Sequence, residues 1–118
     1  MGQVIEINRK RFFSLEEAKS LLPVVRRITR RSYEEARQVS AQLSYISDPQ
    51  RKKELERSLQ VTFYRWQRKV RKLGCQGKGM WLVDFDSGQG YFCWIYPEPE
   101  ITFFHGYDEG YRGRVRIR

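Results

Sequence analysis

Hydrophobic positions recur along this chain in two different rhythms. From residue 15 the apolar and small residues fall at Leu15, Ala18, Leu22, Val25, Thr29, Ser32, Ala36, Val39, Leu43 and Ile46. Steps of three and four alternate without a break, the pattern of a helical face that packs along another helix. Ser14 precedes the run and Glu17 follows three residues later. Together they make a capping box, in which each side chain satisfies an orphan backbone N–H. Pro23 lies inside the run and removes one helical hydrogen bond, so a kink or a restart is expected there.

Asp48 and Pro49 announce a second helix, an N-cap followed by a proline at the first helical position. Its apolar positions are Leu55, Leu59, Thr62, Trp66, Val70 and Leu73, and Gly74 is the expected C-terminal stop. Only Ser47 and Asp48 separate the two helices, so they fold back antiparallel. That geometry sets Trp66 against Thr29 and Leu59 against Ala36, large residues against small ones. The first helix is long for a chain of 118 residues, which leaves part of its seam open to a second subunit.

After Gly74 the rhythm shortens to two. The segments KGMWLVDF, GYFCWIY and EITFFH are rich in β-branched and aromatic residues, with DSGQ and PEP between them as turn chemistry. They predict a three-stranded meander, joined by a fourth strand from VIEI near the start or VRIR at the end. Helices followed by strands indicate an α+β fold. The predicted architecture is one domain over residues 1–118: a long antiparallel helical hairpin (12–74) packed on a small three- to four-stranded antiparallel sheet with a Gly/Arg-rich tail (78–118).

Turn lengths then assign faces. With Pro97, Glu98 and Pro99 as one turn, Cys93 pairs Phe103 and Tyr91 pairs His105. With residues 86–90 as the other, Phe85 pairs Tyr91 and Val83 pairs Cys93. One face carries Trp81, Val83, Phe85, Tyr91, Cys93, Ile95, Ile101, Phe103 and His105, and is expected to cover the helices. The other carries Leu82, Asp84, Phe92, Trp94, Tyr96, Glu100, Thr102 and Phe104, an aromatic outer face. A change of one residue in either turn would exchange the faces of a strand.

Charge adds a second asymmetry. Residues 1–74 hold 18 Lys/Arg against 8 Asp/Glu, whereas residues 75–118 hold 5 against 6 and ten of the seventeen aromatics. The hairpin brings Arg26, Arg27, Arg30 and Arg31 level with Arg65, Arg68, Lys69, Arg71 and Lys72, a candidate phosphate-contacting surface. Glu34 and Glu35, four residues beyond Arg30 and Arg31, are expected to pair with them, and the cations of 68–72 complement the C-terminal dipole of the second helix. The absence of a signal-like segment and of a long apolar run predicts a soluble cytoplasmic protein without membrane contact. Cys75 and Cys93 fit no ligand or disulfide spacing and are expected as free thiols.

The stretch GYFCWIYPEPEITFFHG gathers Cys93, Glu98, Glu100 and the single histidine, His105. Parity separates them. Cys93 and His105 go to the helix-covering face as a small hydrophobe and a structural residue, Glu100 to the other face, and Glu98 to the turn. No catalytic residue, metal ligand set or cofactor is therefore assigned. The favoured reading is a non-catalytic domain for protein interaction or self-association, through the helical seam or the aromatic face. Nucleic-acid binding by the basic cluster is the first alternative. A ligand or metal site near His105, with Asp108 and Glu109 at the sheet's end, is the second.

The motifs FFSLEEAKSLLPVVR (12–26), LVDF (82–85), YFCW (91–94), EPEI (98–101), FH (104–105) and DEGYRGR (108–114) occur in an order that resembles the bacterial family called domain of unknown function 2203. The resemblance spans Phe12 to Arg114 and departs from the family pattern at Pro97, where glycine is usual. It implies a small bacterial, cytoplasmic protein and brings no activity with it. It also implies where a shared site would lie: Asp84, Cys93, Trp94, Glu98, Glu100, His105, Glu109, Gly113 and Arg114. The ligand-binding candidates drawn from it are Asp84, Trp94, Glu98, Glu100, His105, Glu109 and Arg114.

Overall fold

In the computed structural model, which describes residues 11–118, the chain enters helix α1 (Leu15–Leu43) through the expected capping box. Glu17 N–H donates to Ser14 Oγ at 3.1 Å, and Ser14 N–H donates to the Glu17 carboxylate at 2.8 Å. The helix continues through Pro23 without the restart that the proline suggested. Helix α2 (Pro49–Lys72) begins where Asp48 accepts the Arg51 N–H at 3.0 Å. It stops at Leu73, beyond which Gly74 takes the left-handed conformation (φ +92°) that side chains disfavour.

The seam closes within the chain. Ala18, Leu22, Val25, Thr29, Ser32 and Ala36 of α1 are buried, and so are Leu55, Trp66 and Val70 of α2. Trp66, fully buried, donates its indole N–H to Thr29 Oγ1 at 2.9 Å. A buried donor of this kind needs a partner, which explains a threonine at a position otherwise reserved for aliphatics. From Val39 onward the seam is only half-buried.

The sheet is antiparallel with its strands in sequence order: β1 (Gln76–Lys78), β2 (Leu82–Asp86), β3 (Tyr91–Ile95), β4 (Phe103–His105) and β5 (Val115–Arg116). The fold is therefore α+β as expected, a helical hairpin on an antiparallel sheet, with five strands in place of three or four. The meander forms its middle, β1 adds one edge, and VRIR supplies the other as β5. The VIEI alternative lies outside the described residues.

The β3–β4 register is the expected one, with Cys93 opposite Phe103 and Tyr91 opposite His105. The β2–β3 register is not. Asp84 stands opposite Cys93, Phe85 opposite Phe92, and Asp86 opposite Tyr91. The cause is a turn of four residues, Ser87 to Gly90, where five had been counted. Asp86 Oδ1 accepts the Gly88 N–H at 2.9 Å and Ser87 Oγ accepts the Gln89 N–H at 3.2 Å. Gly88 and Gly90 supply the positive φ angles (+88° and +155°) that so tight a return demands. Asp86 thereby joins the strand, and the side chains of β2 exchange their neighbours on β3.

The face that meets the helices carries Trp81, Val83 and Phe85 with Phe92, Trp94 and Tyr96. Trp81 meets Trp66 edge-on at 5.1 Å between centroids, and Tyr96 meets Tyr33 of α1 at 5.0 Å. The outer face carries Asp84, Tyr91, Cys93, Ile95, Phe103 and His105. Cys93 and His105 thus lie on the side away from the helices, and Trp94 on the side toward them, the reverse of the sequence expectation. The aromatic face and the helical seam, both offered above as surfaces for self-association, are largely covered by the chain itself.

Replacing Thr29 with valine keeps the shape and raises the apolarity, yet strands the Trp66 N–H in the core. The expected outcome is a loss of about 1–3 kcal/mol of stability in urea unfolding. An unchanged midpoint would show that the bond contributes nothing.

Candidate functional site

Three neighbouring strands each deliver one polar side chain to the middle of the outer face. Asp84 comes from β2, Cys93 from β3 and His105 from β4, and each is at most 3% exposed. A ligating atom from each lies within 4.8 Å of the other two. Asp84 and Cys93 are directly opposed, while the long imidazole of His105 reaches diagonally back across the sheet. Side-chain length closes the distance that backbone spacing alone left open.

The hydrogen bonds define the chemistry. His105 Nδ1 lies 2.9 Å from the carbonyl oxygen of Gly106, which can only accept, so that nitrogen carries a proton. Nε2 lies 3.1 Å from Asp84 Oδ1. A neutral ring protonated at Nδ1 turns a lone pair toward this carboxylate, so a proton has to stand between the two atoms. Burial, followed by the charge of Asp84, pushes the Cys93 thiol up to about 12. Burial does the same to Cys75, which lies in the main core and not at the outer face.

On the other side of Cys93 stands Arg114, whose guanidinium lowers the thiol slightly. Arg114 is held from three directions: Glu98 takes it with both oxygens at 3.1 and 3.2 Å, and the rings of Phe103 and Tyr111 lie 4.0 and 4.3 Å from its Cζ. Glu98 is fixed in turn, since its Oε1 accepts the Ile95 N–H at 2.9 Å and its carbonyl accepts the Trp94 indole N–H at 2.7 Å. A continuous polar chain therefore runs from His105 through Asp84, Cys93 and Arg114 to Glu98.

A cleft of about 350 Å³ opens over one end of this chain. Its walls are the turn from β1 to β2 (Lys78, Gly79, Met80) and the segment after β4 (Tyr107, Glu109, Gly110, Tyr111). Its floor includes Asp84, Tyr91 and His105. Glu109 fastens the second wall by accepting the Gly106 N–H at 3.0 Å. Tyr107 donates to Asp86 Oδ1 at 2.6 Å, and that bond pushes its phenol up to about 12.

Of the residues that the sequence singled out, the structure gathers Asp84, His105, Glu98 and Arg114 into one chain and puts Glu109 in the wall beside it. Trp94 faces the helices and touches the site only through Glu98. Glu100 and Asp108 are exposed and stand apart. The sequence reading makes Cys93 a small hydrophobe because its parity count puts it in the middle of an apolar face, with Asp84 on the other side; the observed register sets the two directly opposite. The signal that could have found it was the run Asp86-Ser87-Gly88-Gln89-Gly90, whose side chains build the tighter turn.

Arg27, Arg30, Arg31, Arg65, Arg68, Lys69, Arg71 and Lys72 are exposed, and the half-buried Arg26 donates to the Pro99 carbonyl. Glu34 pairs with Arg37 and not with Arg30. Among the described residues none of the nine cations has a carboxylate partner.

The profile of the family described as "Uncharacterized conserved protein (DUF2203)" matches residues 11–117, and the chain belongs to that family. No curated protein and no solved structure matches the chain. Among the described residues no helix is long and apolar enough to cross a membrane.

Both thiols are expected to resist a disulfide-exchange reagent in the native protein at mildly alkaline pH, and to react at two per chain after denaturation. Rapid native labelling of Cys93 would contradict its burial.

Proposed function

We propose that this member of the DUF2203 family is a ligand-binding domain whose site is the cleft over the outer sheet face. The observation that carries the reading is the buried Asp84–His105 pair at the floor of a cleft lined mainly by tyrosines and aliphatic side chains, with Lys78 and Glu109 in its walls. Buried ionisable groups are costly unless something uses them or pairs them, and a few convergent polar groups in an apolar concavity are what small-ligand sites present. The size suits a small molecule with an aromatic or aliphatic body and one polar end. Lys78 and His105 offer donors to that end, and Asp84 and Glu109 offer acceptors. Protein interaction or self-association has less support, because α2 covers much of the α1 seam and the helices cover the aromatic face on which it rested.

A small-molecule screen read by thermal unfolding tests this. A ligand present at a hundred times its Kd adds about 2.7 kcal/mol and is expected to raise Tm by roughly 10 °C for a chain of this size. Tyr111→Ala should remove most of that shift while leaving the unliganded Tm within a few degrees. A shift that persists in Tyr111→Ala would place binding elsewhere.

A second reading, nucleic-acid binding through the hairpin, is favoured by one specific observation: among the described residues, nine cations along two helical segments have no carboxylate partner. Filter binding at a series of salt concentrations should then show affinity falling steeply with salt. Arg30→Ala together with Lys69→Ala should reduce the log–log slope by about 2. Weak, salt-insensitive binding that the double substitution leaves unchanged would remove this reading.

A further inference from the structure

We propose that Asp84, Cys93 and His105 form a binding site for one divalent transition-metal ion of the zinc type, open on the side of the cleft. The inference deepens the reading of that cleft as a ligand site, since the ion would be the polar anchor for whatever enters it.

Three independent observations carry it. The first is the donor set. A thiol, an imidazole and a carboxylate, one from each of three adjacent strands, converge within 4.8 Å in a buried position. Ligands 2.0–2.3 Å from a shared tetrahedral centre stand roughly 3.3–3.8 Å apart, so the group needs to contract by no more than about 1.5 Å. Sulfur and imidazole nitrogen select a borderline ion and argue against calcium or magnesium, which take oxygen.

The second is the orientation of His105. Metal-binding histidines nearly always donate their other ring N–H to a carbonyl or carboxylate, which fixes the tautomer and aims the lone pair. His105 does this through Nδ1 and the Gly106 carbonyl at 2.9 Å, and Nε2 points at Asp84, in the cluster that Cys93 completes. Without a cation, a proton must fill the space between Nε2 and the carboxylate. A metal ion would take that position and bind the thiolate, releasing two protons to solvent, the one shared by Nε2 and the carboxylate and the one on the thiol.

The third is charge and access. An aspartate and a thiolate together neutralise a dication, and Arg114 adds no net charge because Glu98 holds it with both oxygens. Asp84 and His105 also line the cleft, so a fourth coordination position faces it. Three protein ligands and one open position are the arrangement of zinc sites that act on a bound water or substrate, as distinct from closed structural sites.

The experiment is a cobalt titration of the full chain without an affinity tag. One equivalent of Co²⁺ should produce the visible bands of tetrahedral cobalt and a near-ultraviolet sulfur-to-cobalt charge-transfer band. Cys93→Ser should abolish the charge-transfer band and weaken binding by at least about 100-fold, the upper end of what losing an outer-shell partner costs. Cys75→Ser, in the main core, should keep both, and this assigns the sulfur even if Cys93→Ser does not fold. Zinc should displace the cobalt with one-to-one stoichiometry. The absence of a charge-transfer band in the wild-type chain would overturn the proposal. So would a band that survives in Cys93→Ser or disappears in Cys75→Ser. If cobalt is silent while a small molecule still stabilises the protein through Tyr111, the cleft reading stands and only the metal is lost.

Discussion

The four-residue turn from Ser87 to Gly90 sets the parity of the sheet, and everything on the outer face follows from it. Because side chains alternate along a strand, one residue more in this turn would return Val83 and Phe85 to the side of Cys93 and leave Asp84 on the other. Local bonds shape the turn, and Tyr107 and the Phe13 N–H anchor Asp86, the residue that leads into it, from elsewhere in the chain. The Asp86 carboxylate and the Ser87 hydroxyl each cap a backbone N–H two residues on, and the Ser87 N–H reaches the Gly90 carbonyl at 2.8 Å. The helix-facing side gains an aromatic layer shared by Trp66, Trp81 and Trp94. The outer side gains three polar groups that hydrophobic packing alone would never have placed there.

This division explains the two characters of the molecule. On the helix side the burial is mostly apolar, and the indole N–H groups of Trp66 and Trp94 are met by Thr29 and by the Glu98 carbonyl. On the outer side the chain buries an aspartate, a cysteine and a histidine together and then surrounds them with a second layer, Arg114, Glu98 and the Gly106 carbonyl, that fixes their orientation. Such a layer costs conformational entropy and desolvation. It is hard to account for as core packing, since aliphatic side chains would fill the same volume with less penalty.

The helices were legible because their signals are local and redundant. The capping box at Ser14, the Asp48–Pro49 start, Gly74 and the unbroken seam all point the same way, and even Pro23 did not override them. The β3–β4 register was legible for the same reason, with a stiff Pro97–Pro99 turn between two strongly patterned strands. The β2–β3 register was not, because Asp86 can end a strand or begin a turn, and only the hydrogen bonds of its side chain decide which. That single ambiguity hid the neighbour of Cys93. Resemblance pointed to Asp84, Glu98, His105 and Arg114 without giving their geometry, and only tertiary structure links residues so far apart in sequence.

Arg26 belongs to both of the chain's unusual surfaces. It stands in the basic run of α1, and it donates to the carbonyl of Pro99, next to the glutamate that grips Arg114. An anion that draws this guanidinium away must first break its hold on the loop between β3 and β4, and whatever steadies that loop must in return make Arg26 harder to recruit. The two surfaces are thus thermodynamically reciprocal, with a strength bounded by one exposed, charge-assisted hydrogen bond: about 1.5 kcal/mol, or roughly tenfold in affinity. Crosstalk of that size would bias one surface by the state of the other without switching it.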